Sequence, residues 1–301
     1  MNARTALLQG TELLEEAAIA VPRLTAEVLL SHALGRDRVY LFAHPEHELS
    51  QLEWLHYGRY LHERLKGKPT QYITRRQEFY GREFRVTPDV LIPRPETEHV
   101  VETALEVMSG VGLPACPRIK PGQGGAPSGV RAGQEAYPTR ILDIGTGSGA
   151  LAVTLQLETG AACMATDISP AAARVAAGNA RRLGAHVNIV VCDLLSAVAP
   201  GSVDLVVSNP PYVPLSQREG LQREVRDYEP HTALFAGETG FEIYERIAAD
   251  APRVLRPGGW LILELGFGTY DHVAGLLADW SDVRLIPDLA GIPRVIAARR
   301  P

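Results

Sequence analysis

Apolar positions follow two different periods along the chain. From Thr5 to about Lys66 they recur at helical intervals, as in Leu7, Leu8, Ala17 and Ala18, then Leu24, Val28 and Leu29, then Leu52, Leu55, Leu61 and Leu65. With Pro22, Gly35 and Pro45 as punctuation, this pattern predicts a small helical bundle. Ser50 is placed to cap a helix that starts near Gln51, and Gly67 and Pro69 close the helical region. The stretch "EFYGREFRV" sets Phe79 and Tyr80 before Gly81 and Phe84 and Val86 after it, the signature of a β-hairpin.

From Arg140 the period changes. The short apolar runs "RILDIG", "ACMATD", "VNIVVCD", "VDLVVSN" and "GWLILELG" read as strands, and helical segments separate the first of them. One helix runs through Leu151 to Leu157; the next has Ser169 as N-cap, Pro170 at its first position and Gly184 at its end. Such alternation predicts a mostly parallel sheet with helices on both faces and ligands beyond the carboxyl ends of the strands. At the end of the chain, "DVRLIPD" and "PRVIAARR" are joined by "LAGI", too short for a helix, so they are expected to form an antiparallel hairpin at the sheet edge.

Composition adds one boundary. Residues 109–139 hold seven glycines and five prolines with few large aliphatics. Such a stretch buries too little apolar area to offset its ordering entropy and reads as a flexible surface insert. At 301 residues and 46% hydrophobic content the chain has room for a large domain and a small one. The formal net charge of -5 argues against a surface devoted to nucleic acid, although Arg59 to Arg85 carries eight Lys or Arg against three Glu. That basic run is either a solvated helix face or a docking surface for an acidic partner. Cys116, Cys163 and Cys192 lack the spacing of a disulfide framework or a zinc site. The histidines show no metal pattern, so no metal is expected. The N-terminus is too polar for a signal peptide and no apolar run is long enough to span a bilayer, so a cytoplasmic protein without membrane contact is expected.

The unusual residues cluster just after the strands. "DIGTGSG" places Gly145, Gly147 and Gly149 at alternate positions after Asp143, where glycine lets the backbone approach a ligand and exposes the N–H groups of a following helix. Alone, such a loop serves several nucleotides. Asp167, 22 residues beyond Gly145, is positioned to accept the hydroxyls of a ribose. Asp193 and Leu194, after the third strand, are candidates to flank an adenine ring. The fourth strand delivers "NPPY", Asn209 to Tyr212. Pro210 cannot extend a ladder and confines Asn209 to extended backbone, so the strand stops in a stiff turn. A structural turn uses Asn-Pro equally well, but the company of the other loops favours a side chain being aimed.

The G-x-G-x-G spacing, with an acid two residues before it and no cation in the loop to meet a pyrophosphate, resembles the S-adenosylmethionine loop of class I methyltransferases. Their sheet also ends in an antiparallel hairpin strand. "NPPY" is the signature of methyltransferases acting on a nitrogen conjugated to a π-system. "VLIPRPETE" (Val90 to Glu98), "YEPHTALFAGETGFEIY" (Tyr228 to Tyr244) and "DLAGIPRV" resemble bacterial release-factor glutamine N5-methyltransferases, the HemK/PrmC family. The likeness runs from about Pro69 to Arg299; the Gly/Pro-rich insert departs from it.

The resemblance implies an α/β fold, a class I methyltransferase Rossmann-like sheet with a terminal antiparallel hairpin plus a small N-terminal helical bundle. It divides the chain into a helical substrate-recognition domain at 1–70, a linking β-hairpin at 71–92 and a methyltransferase domain at 93–301. The implied cofactor is S-adenosyl-L-methionine, leaving as S-adenosyl-L-homocysteine and held by Gly145, Thr146, Gly147, Ser148, Gly149, Asp167, Asp193, Leu194 and Asn209. The implied substrate is the glutamine of the GGQ tripeptide in peptide chain release factors, methylated at N5. Asn209, Pro210 and Tyr212 carry catalysis: the Asn209 side-chain oxygen and the Pro210 carbonyl accept the amide N–H groups and the Tyr212 ring packs on the amide plane. Pro211, Arg94 and Glu96 join them in binding substrate, although "RPETE" is also a good helix start. Asp143 either braces the glycine loop or touches the cofactor; Glu229 and His231 lie in a loop near the pocket without a firm role. The alternatives are a ribosomal-protein glutamine methyltransferase and, more distantly, adenine N6 methylation of nucleic acid, which the acidic net charge disfavours.

Overall fold

The computed structural model describes residues 1–109 and 139–301. Most of the expected insert, residues 110–138 with Cys116, lies outside the described residues. The chain forms two compact units, Met1–Arg76 with Gly220–Glu229, and Gln77–Glu219 with Pro230–Pro301.

The first unit is helical: α1 (Ala3–Glu16), α2 (Pro22–Leu34), α3 (Arg38–Ala43), α4 (Gln51–Leu65) and α5 (Thr70–Thr74). Ser50 caps α4 in a reciprocal box, its hydroxyl accepting from Glu53 N while the Glu53 carboxylate accepts from Ser50 N at 2.7 Å. The core stripe of α4 differs from the expected one. Tyr57, Tyr60, Leu61 and Arg64 face inward, whereas Leu52 and Leu55 are 62% and 67% exposed. Leu8 and Leu24 also face solvent. A tyrosine stripe one face over covers more area than the two leucines, and burial follows area.

The second unit opens with the hairpin β1 (Arg76–Phe79) and β2 (Arg82–Arg85), followed by α6 (Glu98–Ser109). Tyr80 and Gly81 take the turn with φ of 51° and 70°, the left-handed pair that a tight hairpin requires. Next come β3 (Arg140–Ile144), α7 (Ala150–Thr159), β4 (Ala162–Asp167), α8 (Pro170–Leu183), β5 (Val187–Val191) and β6 (Val203–Ser208). After β6 are a two-residue strand β7 (Val213–Pro214) and the short helices α9 (Arg223–Tyr228), which belongs to the first unit, and α10 (His231–Leu234). The unit ends with β8 (Phe235–Gly237), α11 (Glu242–Val254), β9 (Leu255–Glu264), α12 (Tyr270–Leu276), β10 (Ser281–Pro287) and β11 (Pro293–Arg299).

The main sheet is seven-stranded in the order β10-β11-β9-β6-β3-β4-β5. Strands β9 to β5 in this order run parallel, and β11 and β10 close the sheet antiparallel. Its strands alternate faces: Ile141, Leu205, Val207 and Ile262 pack under α6 and α7, while Leu142, Ile144, Val206, Leu261 and Leu263 pack under α11. The order reverses between β6 and β3, so the loops after these strands open onto a shared crevice, the usual ligand position in such sheets.

Candidate active site

Ordinary strand and turn chemistry builds the site. Ser208 ends β6 with its hydroxyl donating to the Ile144 carbonyl at 2.8 Å, which ties the exit of β6 to that of β3. Asp143, 1% exposed, takes the bracing role: its carboxylate accepts from the Thr146 hydroxyl at 2.6 Å and from Ala152 N at 3.1 Å. Burial pushes its pKa up to about 7. Asp143 thereby fixes the glycine loop to the start of α7. Thr146 and Ser148 are buried, so this loop offers backbone rather than side chains to the crevice.

Gly145 and Gly147 have φ of 68° and 54°, and a Cβ at either position would meet no atom within 4 Å. The backbone here is free to lie against a ligand. Gly149 serves packing instead, since a Cβ there would press on Ala176 and Val153 at 3.2 to 3.3 Å. Asp167, at the end of β4, accepts from Gly147 N and Ser169 N, each at 2.8 Å. These bonds aim both carboxylate oxygens and leave each a lone pair for a ligand hydroxyl. Ile168 beside it is 60% exposed, an apolar surface unusual at a strand end. Asp193 is in an exposed ion pair with Arg246 at 2.6 Å, and Leu194 has φ of 46°. A left-handed bulky residue is strained and turns the chain sharply after Asp193. The free backbone at Gly145 and Gly147, the aimed carboxylate of Asp167 and the exposed Ile168 fit an adenosine-bearing ligand.

Asn209 and Tyr212 meet partners from distant segments. Asn209 Nδ2 donates to the Thr97 hydroxyl at 3.0 Å, and Thr97, in the "PET" turn at Pro95–Thr97, is 4% exposed. Pro210 is buried, and Pro211 is half-buried beside it. The Tyr212 ring lies on Gly266, where a Cβ would sit 2.6 Å from the ring, and its carbonyl lies over Gly240. Burial pushes the Tyr212 hydroxyl up to about 12, with Glu264 and Glu96 adding to the shift and Arg94 and Arg294 opposing it. Arg94 and Glu96 are therefore close enough to Tyr212 to act on its charge. Glu98 accepts from Tyr80 N at 2.8 Å, which commits it to the hairpin. Glu229 is buried in the helical unit, and His231 is exposed in the other.

Sequence reasoning missed several residues. Glu264, the last residue of β9, is 3% exposed beneath the "NPPY" turn. Arg294 at the start of β11 sits next to it through the pairing of Val295 with Glu264. Asn179 on α8 is fully buried; it exchanges hydrogen bonds with both backbone groups of Arg85 and donates to the Ser148 carbonyl at 2.8 Å. The only sequence signal for Asn179 is a lone amide on an otherwise alanine-rich apolar stripe. Replacing Gly266 with alanine is expected to displace the Tyr212 ring and lower turnover at this site by roughly tenfold or more, the scale of a sub-ångström-to-ångström misplacement in a positioned site. Turnover measured at saturating substrates, with ligand affinity for the glycine loop unchanged, checks this.

Among the described residues no helix is long and apolar enough to cross a membrane, and no group of three or more His, Cys, Asp or Glu is arranged to hold a metal ion. The family model for the PrmC N-terminal domain matches residues 5–74, and that for the methyltransferase small domain matches residues 132–224. A release factor glutamine methyltransferase from Koribacter versatilis (strain Ellin345) is 44% identical over 303 residues, covering 100% of this chain and 99% of the relative. One from Chlorobaculum tepidum is 42% identical, covering 93% of this chain and 90% of its own. Among solved structures, the hMettl16 catalytic domain in complex with MAT2A 3'UTR hairpin 1 aligns with a TM-score of 0.53 at 16% identity, covering 80% of this chain and 83% of that one. At that identity the likeness establishes a methyltransferase Rossmann-like fold and no more.

Proposed function

Since the chain belongs to the release factor glutamine methyltransferase family, we propose that its site works on the amide of a release-factor glutamine as follows. The enzyme is an S-adenosylmethionine-dependent methyltransferase of release factor glutamine. The single observation that carries the site assignment is the Asn209 side chain, held by its nitrogen on Thr97 at 3.0 Å with its oxygen left for another partner.

S-adenosylmethionine supplies an electrophilic methyl group. Gly145, Gly147 and Gly149 shape the backbone that holds it, Asp167 accepts its ribose hydroxyls, and Ile168 and Leu194 cover its adenine. Asp193 supports that face through its pairing with Arg246 rather than through a free carboxylate. A glutamine amide is a weak nucleophile because its lone pair is delocalised into the carbonyl. Asn209 Oδ1 and the Pro210 carbonyl accept its N–H groups, which aims the nitrogen and stabilises the positive charge that grows on it. Tyr212 and Pro211 pack on the amide plane and exclude water. No protein base is needed during transfer, because the methylated nitrogen is acidic and sheds its proton afterwards. The GGQ glutamine is the residue we assign as acceptor.

Residues 1–70 take the role of recognising the release factor. Supporting this, the helical unit contains a cavity of about 350 Å³ lined by Arg59, Lys68, Arg75 and His32, with Glu63 among them paired to Lys68 at 2.7 Å and to Arg59 at 3.7 Å. Crowding by burial and by Arg76, Arg59 and Arg75 lowers the His32 pKa, a sign of concentrated positive charge. Reversing Arg59 and Arg75 to glutamate is expected to raise KM for the release factor by about tenfold while leaving kcat within about twofold, since such charges steer encounter and docking. A larger change in kcat than in KM would count against the recognition role.

Methyl transfer from labelled S-adenosylmethionine to purified release factor, with ribosomal protein and nucleic acid as competing acceptors, tests the function. Label on the release factor is expected. Preferential labelling of either competitor contradicts the proposal. The full-length relatives carry the release-factor name, which gives no support to the ribosomal-protein alternative.

A further inference from the structure

The carbonyl of Ser148 sits just ahead of α7, where the backbone N–H four residues on would ordinarily take it. That N–H belongs to Ala152, and it is donated to the Asp143 carboxylate instead. Ser148 is 3% exposed, so water does not make up the loss. The partner comes from another element: Nδ2 of Asn179, on α8, donates to the Ser148 carbonyl at 2.8 Å.

Asn179 is rooted outside the glycine loop. Its Nδ2 also donates to the Arg85 carbonyl at 2.9 Å, and its Oδ1 accepts from Arg85 N at 2.8 Å and from the Arg182 guanidinium at 3.5 Å. An amide has two N–H groups and two oxygen lone pairs, and here all four are engaged. Exchanging Oδ1 with Nδ2 would set oxygen against two carbonyls and nitrogen against an N–H, so the side chain has one orientation. It is fully buried on a face of α8 otherwise made of Ala172, Ala173, Ala176 and Ala180. Ala176, one turn earlier, is the residue on which a Cβ at Gly149 would press. The helix therefore lays a small side chain against Gly149 and a polar clamp on Ser148.

The loop needs such a clamp. Gly147 and Gly149, on either side of Ser148, have φ of 54° and 84°, and glycine passes readily between left-handed and right-handed backbone. The peptide joining Ser148 to Gly149 is held at both ends: its N–H donates to the Thr146 carbonyl at 2.8 Å within the loop, and its carbonyl accepts from Asn179. Without Asn179 that buried carbonyl is unpaired, and turning the peptide over is the motion that relieves it.

Resting on the reading that this loop holds S-adenosylmethionine, we propose that Asn179 is a positioning residue for the cofactor: it fixes the Ser148–Gly149 peptide in the ligand-ready conformation, with the Arg85 backbone of β2 as its anchor. Being fully buried, Asn179 makes no contact with a ligand in the crevice. It acts on the fraction of molecules whose loop is ready, and apparent affinity scales with that fraction.

The test is calorimetric affinity for S-adenosylmethionine and S-adenosylhomocysteine, with hydrogen exchange in peptides covering residues 145–150 and turnover at saturating cofactor beside it. Asn179→Ala is expected to weaken both ligands by about tenfold, as for a loop ready in about a tenth of the molecules, and to keep turnover within about threefold. Exchange should quicken in the glycine loop and stay as in wild type in the sheet strands. Asn179→Asp is expected to bind both ligands more weakly than Asn179→Ala, because a carboxylate oxygen then faces the Ser148 and Arg85 carbonyls. Asp167→Asn is the reference for the loop reading. Wild-type affinity in both Asn179 variants, with affinity lost in Asp167→Asn, overturns the positioning role alone; wild-type affinity in all three overturns the loop reading and the role with it. Exchange that quickens throughout the protein, or loss of fold in both Asn179 variants, assigns Asn179 to the fold at large and also overturns the proposal.

Discussion

Asn209→Ala enzyme is expected to bind S-adenosylmethionine within about threefold of wild type and to transfer its methyl group at least ~10² more slowly, the loss that follows removal of one transition-state hydrogen-bonding group. The split follows from geometry. Asn209 reaches Thr97 with its nitrogen, and on the proposed reading its oxygen meets the substrate, whereas the glycine loop and Asp167 are held by their own bonds to Asp143, Ser169 and Gly147. Nothing in that second network passes through the Asn209 side chain. Truncation therefore removes the acceptor for the amide N–H groups and leaves the cofactor cradle standing. Calorimetry for the cofactor and single-turnover transfer to release factor read the two quantities separately. Equal losses in both would mean that Asn209 braces the site instead of acting on the substrate.

Asp167→Asn is expected to do the reverse. Both carboxylate oxygens of Asp167 are engaged by backbone donors, Gly147 N and Ser169 N. An amide offers one oxygen and replaces the other with a donor, so one of those N–H groups faces N–H and the ribose loses an acceptor. Affinity for S-adenosylmethionine is expected to fall by about 10²-fold, on the scale of two lost charge-assisted hydrogen bonds. Turnover at saturating cofactor should stay within about fivefold of wild type, because the groups around the amide are untouched. The pH direction is opposite to that of an ordinary surface carboxylate: burial raises the Asp167 pKa, so the charged form costs stability in the fold and that cost appears as pH rises. Across a pH series that starts below the ordinary carboxylate range, the thermal midpoint of Asp167→Asn should gain on that of wild type as pH rises.

Local chemistry made much of this fold legible in the sequence. The Ser50 box, the Ser169–Pro170 start and Gly184 end of α8, the Tyr80–Gly81 turn and the strand preceding "NPPY" each depend on residues a few positions apart. The glycine loop, Asp167 and Asn209 were legible for the same reason, because each sits just after its own strand. Thr97, Glu264 and Arg294 were not. Their nearness to Asn209 and Tyr212 arises from sheet order, which sets β9 beside β6 and β11 beside β9. No spacing within one segment encodes that neighbourhood. Asn179 is similar: its partners Arg85 and Ser148 come from the hairpin and the glycine loop. On α4, Leu61 and Leu65 pack against the core while Leu52 and Leu55 face solvent, for a different reason. Its sequence offers a leucine stripe and a tyrosine stripe, and only packing against α1 and α2 decides between them.

The acceptor proposed for the release-factor glutamine reaction is the side-chain nitrogen of the GGQ glutamine. The most direct measurement is methyl transfer from labelled S-adenosylmethionine to intact release factor beside a version whose GGQ glutamine is replaced by alanine, with the modified residue located by peptide mass mapping. Label on the glutamine of the intact factor and none on the variant is the predicted result. Equal label on both, or label mapped to any other residue, would contradict the assignment.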